Sequence, residues 1–558
     1  MPLRRIEIEG FRGIRRMTLD LNDTTALIGE NSCGKTSVLD ALELALAHRA
    51  TVPFFGPLDF HVPSGTGASP VERISLRFTF LEDGGHEVVA EIVAARTADG
   101  SPARAIPRLV DREGCELHTG DPGAFEAFRR RHPVLRVRFG RPARPAPAEP
   151  AEPAEPAGAP SSFPGYDARG RADTASSVEG EVTRKLRRTV ESAYRKFSGS
   201  WRPHPDELRE PTEAARALAE RWSERLQLPA RAPGRAAEVL AETPVSLGAT
   251  DPLRAEAREG TGMQSLALLM LLGAVLEAEN GSPVDSGAES LVLIEEAEAH
   301  LHPILAARIF RLIDRVPGQK VLTTNSGDLL ASVPLHAIRR LVRSAAGVSV
   351  HGLRDDALSV DEMRRVGYHI RVNRASSVFS RCWLLVEGET ESWLLPEVAR
   401  LVGIDFPAEG IRCVEFAQCG IAPLVKMARG LGIQWHLLAD GDDAGRHYVR
   451  AARSFLAGEP DRERVTGFRE RDVEHHLWGS GYAHVYRAAA ARAGVLPSLF
   501  GRRRIPPGAI IDRALKAHGK PRMALEVAES MSAPGSPGVP RLLASVVEKA
   551  VRLARFGN

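Results

Sequence analysis

The stretch that most constrains this chain is Cys382 to Gly445, where short apolar runs alternate with helical patterns. Trp383-Leu384-Leu385-Val386 reads as a buried strand and stops at Glu387-Gly388-Glu389-Thr390-Glu391. Trp435-His436-Leu437-Leu438-Ala439 reads the same way and stops at Asp440-Gly441-Asp442-Asp443-Ala444-Gly445. Between them lie a helical pattern over Thr390–Leu401, a strand over Arg412–Phe416 and a helical pattern over Ile421–Leu431. This βαβαβ order predicts a parallel sheet with helices on its faces. In such sheets ligands gather beyond the carboxyl ends of the strands, and both acidic clusters fall there. Carboxylates at one edge are hard oxygen donors for a divalent cation.

A lone Asp-Gly-Asp is more often a turn than a metal site. An EF-hand loop is excluded, because Ala444 and Ala451 stand where that loop needs ligands. What separates this stretch from a plain turn is the pairing of Glu-x-x-x-Glu after one strand with Asp-x-Asp after a later one. Over roughly Arg381 to Leu456 these residues resemble the Toprim domain, marked by a Glu after its first strand and a later Asp-x-Asp.

A chain of 558 residues is long enough for two to four domains. Its 43% hydrophobic and 26% charged residues are those of a water-soluble protein, and no run approaches the ~20 apolar residues of a membrane span. Cys33, Cys115, Cys382, Cys413 and Cys419 form neither a paired framework nor a zinc spacing, which fits a reducing cytoplasm. With a net charge of +3, any nucleic-acid surface must be a local patch. Only eight of the 74 basic residues are lysine, so Lys35 and Lys520 draw notice as compact ammonium groups.

Residues 3–9 alternate as a strand, with Gly10-Phe11-Arg12-Gly13 expected to turn. The strand Thr25–Ile28 runs into Gly29-Glu30-Asn31-Ser32-Cys33-Gly34-Lys35-Thr36 and a helix over Val38–Ala47, which fits G-x-x-x-x-G-K-[ST] in its required strand–helix context. In this pattern Gly29, Asn31, Gly34 and Ser37 belong to the phosphate cradle, Lys35 reaches the β/γ-phosphates of ATP and Thr36 holds Mg²⁺. Two further strands are expected over Val71–Phe80 and Glu87–Ala95. Residues 141–177, rich in Pro, Ala and Glu, read as a spacer, and 178–235 as a helical pair that could serve as a dimerisation arm. Arg258 to Ser265 places glycines before an apolar helix, the geometry of an anion site. Leu291–Ile294 ends in Glu295-Glu296, one acid to position Mg²⁺ and the next to polarise the attacking water. Lys320–Thr323 then runs into Thr324-Asn325-Ser326.

Together these motifs resemble the ATP-binding-cassette heads of the RecF and SMC kind. The resemblance implies that Gly262 and Gln264 contact a nucleotide held by a second subunit, and that Glu295 and Glu296 are the metal-positioning and catalytic acids. It departs at Asn325, where such heads usually carry a γ-phosphate-sensing His; Asn cannot take a proton at pH 7. A head interrupted by a helical insert and followed by Toprim is similar to the OLD (overcoming lysogenization defect) family of nucleases. That likeness implies an α/β fold: an ATPase head in two parts (1–140 and 236–350), a connector (351–378) and a Toprim domain (379–558). It further implies that Asp472 and Glu474 join Glu387, Glu391, Asp440 and Asp442 around Mg²⁺ or Mn²⁺, and that Lys520 steadies charge on the scissile phosphate. The expected protein is an ATP- and metal-dependent DNA endonuclease, a cytoplasmic homodimer associated with phage defence or DNA repair. Arg502-Arg503-Arg504 and the helical arm are candidate backbone contacts. The rival from another class is a non-catalytic ATP-gated scaffold that binds nucleic acid or an effector. A topoisomerase would need a tyrosine nucleophile on a DNA-gate domain, and none of the six tyrosines has that context.

Overall fold

The computed structural model describes residues 2–46, 54–63, 69–82, 84–117, 123–132, 134–138, 290–299, 301, 303–316, 318–344, 347–370, 375–456, 458, 460–492 and 505–556. The expected spacer (141–177), the helical arm (178–235), the turn with Gly262 and Gln264, and Arg502 to Arg504 lie outside these residues. The chain divides into two compact units, Met1–Val350 and His351–Asn558.

In chain order the strands of the first unit are β1 (Leu3–Phe11), β2 (Ile14–Asp20), β3 (Thr24–Gly29), β4 (Phe54–Phe55), β5 (Arg73–Leu81), β6 (Glu87–Ala95), β7 (Ala103–Arg104), β8 (Ile106–Val110), β9 (Val134–Arg138), β10 (Leu291–Glu295), β11 (Gln319–Thr323), β12 (Ile338–Ser344) and β13 (Gly347–Gly352). One sheet is antiparallel, in the order β2–β1–β5–β6–β8. The other runs β13–β12–β3–β11–β10–β9, with every pair from β12 to β9 parallel. β10 and β11 are buried along their whole length, as strands covered on both faces are; β10 is apolar up to Glu295, whereas β11 also buries Gln319, Lys320 and Thr323. The helix α1 (Lys35–Leu46) follows β3 directly and buries Val38, Leu39, Leu42 and Leu46 in the apolar cluster that joins the two sheets. Each such side chain contributes about 1.5–3 kcal/mol. The first hairpin differs from expectation: β1 continues through Phe11, whose ring is fully buried, and only Arg12-Gly13 turn.

The second unit carries a sheet in the order β15–β14–β16–β17, all parallel: β14 (Cys382–Val386), β15 (Ile411–Glu415), β16 (Gln434–Ala439) and β17 (Val465–Gly467). Helices Glu389–Leu401, Ile421–Gly430 and Asp443–Arg453 form the crossovers. Helix Lys520–Ser532 packs on Glu389–Leu401, and Arg541–Phe556 packs on β14 and β16. From β14 the chain leaves toward β15, whereas from β16 it leaves toward β17. The loops after β14 and β16, neighbours in the sheet, therefore part in opposite directions and open a crevice at their carboxyl ends. No described helix is long and apolar enough to cross a membrane.

Candidate nucleotide site and candidate metal centre

The loop between β3 and α1 carries three positive φ angles, at Gly29 (145°), Ser32 (67°) and Gly34 (104°). At Gly29 a Cβ would stand 2.4 Å from the Leu341 carbonyl oxygen, so no larger residue fits. Successive amides in such conformations form a concave anion site at the start of a helix. Lys35 Nζ folds back on the loop, donating to the carbonyls of Gly29 (2.5 Å) and Glu30 (3.2 Å). Asn31 is exposed on the loop, and Ser37 lies half-buried in the first turn of α1.

Parallel pairing brings β10 beside β11 and β9, and its last residue meets the P-loop helix. Glu295 Oε1 accepts from Thr36 Oγ1 (3.0 Å), and Oε2 accepts from Arg136 Nη2 (2.7 Å). Arg136, with a side chain only 3% exposed, also pairs with Asp40 and Glu43 of α1, and Asp40 pairs with Arg12. Glu296 adopts φ 52°, a left-handed conformation that costs a non-glycine residue of order 1–3 kcal/mol; such strain clusters at functional sites. Asn325 is tethered through its backbone N–H to Glu298 (2.8 Å), which also accepts from Thr324 Oγ1 (2.8 Å).

At the crevice of the second unit, Glu387 directly follows β14 and Asp440 directly follows β16. Glu391, on the first turn of helix Glu389–Leu401, is 5% exposed. Gly441 explains how the loop after β17 reaches them. A Cβ there would stand 2.1 Å from the Glu470 carbonyl oxygen, and the Gly441 N–H donates to the Arg471 carbonyl (3.1 Å). That close approach carries Asp472 and Glu474 to the same edge. Asp442 and Asp472 each spend one oxygen on a helix cap, accepting from Gly445 N–H (2.7 Å) and His475 N–H (2.8 Å). Asp472 also accepts from His475 Nδ1 (2.6 Å), and buried Glu474 accepts from Thr390 Oγ1 (2.8 Å).

Burial, then the charges of Glu391, Glu387, Asp472 and Glu474, pushes Asp440 up to about 8. Burial, with Glu474 and Glu387 adding to it and Lys520 opposing, raises Glu391 to about 7. Glu387 is raised by burial and Asp442, again against Lys520. Asp440 Oδ1 and Glu387 Oε2 are buried with no hydrogen-bond partner. Among the described residues no group of three or more His, Cys, Asp and Glu side chains converges tightly enough to hold an ion as it stands; like charges without a counterion stay apart. Two orphaned buried carboxylate oxygens in an all-oxygen donor set fit a hard divalent cation.

Comparison with known proteins places the chain. A family model described as "Protein of unknown function (DUF2813)" matches residues 1–96 and 166–377. The "Uncharacterized protein YbjD" of Escherichia coli K12 is 32% identical over 593 aligned positions, covering 100% of this chain and 99% of that one. The chain belongs to the DUF2813 family. It also carries a Toprim domain of the OLD-like kind, matched by the model "Overcoming lysogenization defect protein-like, TOPRIM domain" over residues 378–442. Similar solved structures include the SMC head domain from Thermotoga maritima (16% identity, 63% of this chain and 100% of that one, TM-score 0.33). Another is the C-terminal region of the Xanthomonas campestris pv. campestris OLD protein (22%, 32% and 98%, TM-score 0.26).

In this DUF2813 member several site neighbours were not legible beforehand. Arg136 sits in an ordinary alternating run, Val134–Arg138, and only the fold aims it at three acids. Thr390 was visible inside its motif but had no assigned role, and Glu298, three residues past Glu295, was not singled out. Arg136→Met is expected to destabilise the first unit by about 3–5 kcal/mol, because it strands buried carboxylates. A lowered thermal transition in the variant, with Arg136→Lys intermediate, is the check; an unchanged transition would contradict it.

The raised carboxylates fix a second expectation. Both folded values lie above the unfolded 3.8 and 4.5, so these groups favour the folded state when protonated. Their contribution is complete below about pH 4 and is lost as pH rises through about 7 to 8. Without divalent ions, wild type should lose melting temperature between about pH 5.5 and 8.5 more steeply than Asp440→Asn, and Mg²⁺ should restore it at the upper end. Parallel pH profiles for the two proteins would contradict this.

Proposed function

We propose that this protein is an ATP- and divalent-metal-dependent DNA endonuclease working as a homodimer, with the six segments given by the sequence as its domains. The observation that carries the reading is the pair of buried, donorless oxygens of Glu387 and Asp440 at the switch point of a Toprim sheet. Glu387, Glu391, Asp440, Asp442, Asp472 and Glu474 would hold Mg²⁺ or Mn²⁺, which supplies Lewis acidity toward a phosphodiester and a water.

The chain's own residues prepare that site. The helix caps fix the rotamers of Asp442 and Asp472, leaving Asp442 a second oxygen while that of Asp472 lies 3.6 Å from Arg471 Nε, and Thr390 fixes Glu474. Lys520 opens helix Lys520–Ser532 and lines the cleft beside Glu387, so its ammonium is set to meet charge on the phosphate. In the head, the P-loop amides and Lys35 bind the phosphates of ATP, Thr36 and Glu295 hold its Mg²⁺, and Glu296 polarises water. Asn325 in place of His argues for slow hydrolysis. Gly262 and Gln264 would complete the site in a second subunit.

The scaffold reading draws on the caps at Asp442 and Asp472, which make those acids structural as well. Incubating wild type with supercoiled plasmid and Mg²⁺ or Mn²⁺, with and without ATP, separates the two. Open-circular or linear product supports the nuclease; no cleavage of any DNA form leaves the scaffold.

A further inference from the structure

We propose that the cleft beside Glu387 takes a single unpaired DNA strand, with Arg412 meeting a backbone phosphate and Trp393 stacking a base. This rests on the nuclease reading and names the form of DNA at its site. The cleft, of about 760 Å³, is lined by Glu387, Gly388, Glu389, Arg412, Gln418 and Lys520 among others. That volume is enough for about one or two nucleotides.

Arg412 lies on β15, the edge strand, and its side chain is exposed. Some exposed arginines of this unit are held by an acid, Arg400 by Glu397, Arg446 by Asp443, Arg453 by Asp461 and Arg555 by Glu409, whereas Arg412 is not. Among the described residues neither Arg412 nor Lys520 has a carboxylate at ion-pair distance. The two cations give a bound phosphate a pair of contact points in the cleft.

The second observation is Trp393, 50% exposed although tryptophan is normally well covered. It lies one turn beyond Glu389, a residue of the cleft lining, on the same helix, so i, i+4 geometry makes the two side chains neighbours. An exposed ring near cationic side chains is an arrangement that binds single strands, because stacking needs a base free of its pair. The lining also holds Glu387, Glu389 and Glu415. Three acids against two cations repel a polyanion, so the strand enters only once divalent ions have offset Glu387 and its neighbours.

The test is fluorescence anisotropy of a labelled single-stranded oligonucleotide titrated with the full chain, using Ca²⁺ to limit cleavage, with its duplex as a second arm. Trp393→Ala should weaken single-strand binding about five- to hundredfold and leave the duplex arm unchanged. Arg412→Ala should weaken it too and lower the slope of log K against log salt by about 0.7. Both side chains are exposed, and an unchanged melting temperature verifies each variant's fold. Wild type that cuts plasmid while both variants match it in single-strand Kd and salt slope overturns this inference alone. Wild type that neither binds nor cuts DNA overturns the nuclease reading with it. Equal loss of single-strand and duplex binding in Trp393→Ala overturns the stacking role.

Discussion

Asp440→Ala should abolish metal-dependent nicking while binding of duplex DNA survives. Asp440 follows β16 at the switch point, and its Oδ1 has no donor from the chain, so the substitution removes a proposed metal ligand and no structural hydrogen bond to that oxygen. The loop itself stays anchored, by the Gly441 amide on Arg471 and by Asp442 capping the next helix. Losing even a residue that merely supports a metal ligand costs about 10- to 100-fold, so losing a ligand should cost at least about a hundredfold. Duplex affinity rests on phosphate contacts spread over the surface and should change little. Plasmid nicking and electrophoretic shift on the same preparation check both halves. Normal cutting by Asp440→Ala would mean these carboxylates belong to a turn.

Lys35→Ala should lower ATP hydrolysis by about a hundredfold or more, the effect of removing one preorganised charge contact from a transition state. In the structure the ammonium makes only loop-carbonyl hydrogen bonds, so α1 and its buried face should remain intact. Basal nicking should persist, because the carboxylates of the second unit do not themselves consume ATP. Phosphate release and nicking, measured in parallel, decide it. Loss of both activities in a protein with an unchanged melting curve would show that the head controls the metal site completely.

Much of this was readable in the residues, for physical reasons. Apolar runs that stop at acids located β10, β14 and β16 to within a residue or so, because a strand buried on both faces leaves no polar position until it ends. Glycines at fixed offsets before Lys35 marked the P-loop, because only that backbone makes the cradle. The pairings of long sequence separation were not readable. Arg136 meets Glu295 across 159 positions, and Thr390 meets Glu474 across 84. No local pattern encodes such partners. The dual use of Asp442 and Asp472 was hidden too, since Asp caps a helix as readily as it binds a cation. The reach of β1 through Phe11 was missed because Gly10 looks like a turn, whereas burial of the ring extends the strand.

The most direct measurement is a calorimetric titration of Mn²⁺ into the full-length chain without nucleotide, for wild type and Asp440→Asn. The account predicts saturable binding to wild type with release of protons near neutral pH, since Asp440 and Glu391 hold them there, and weakened binding with fewer protons released by the variant. Identical isotherms and identical proton release in the two proteins would contradict it.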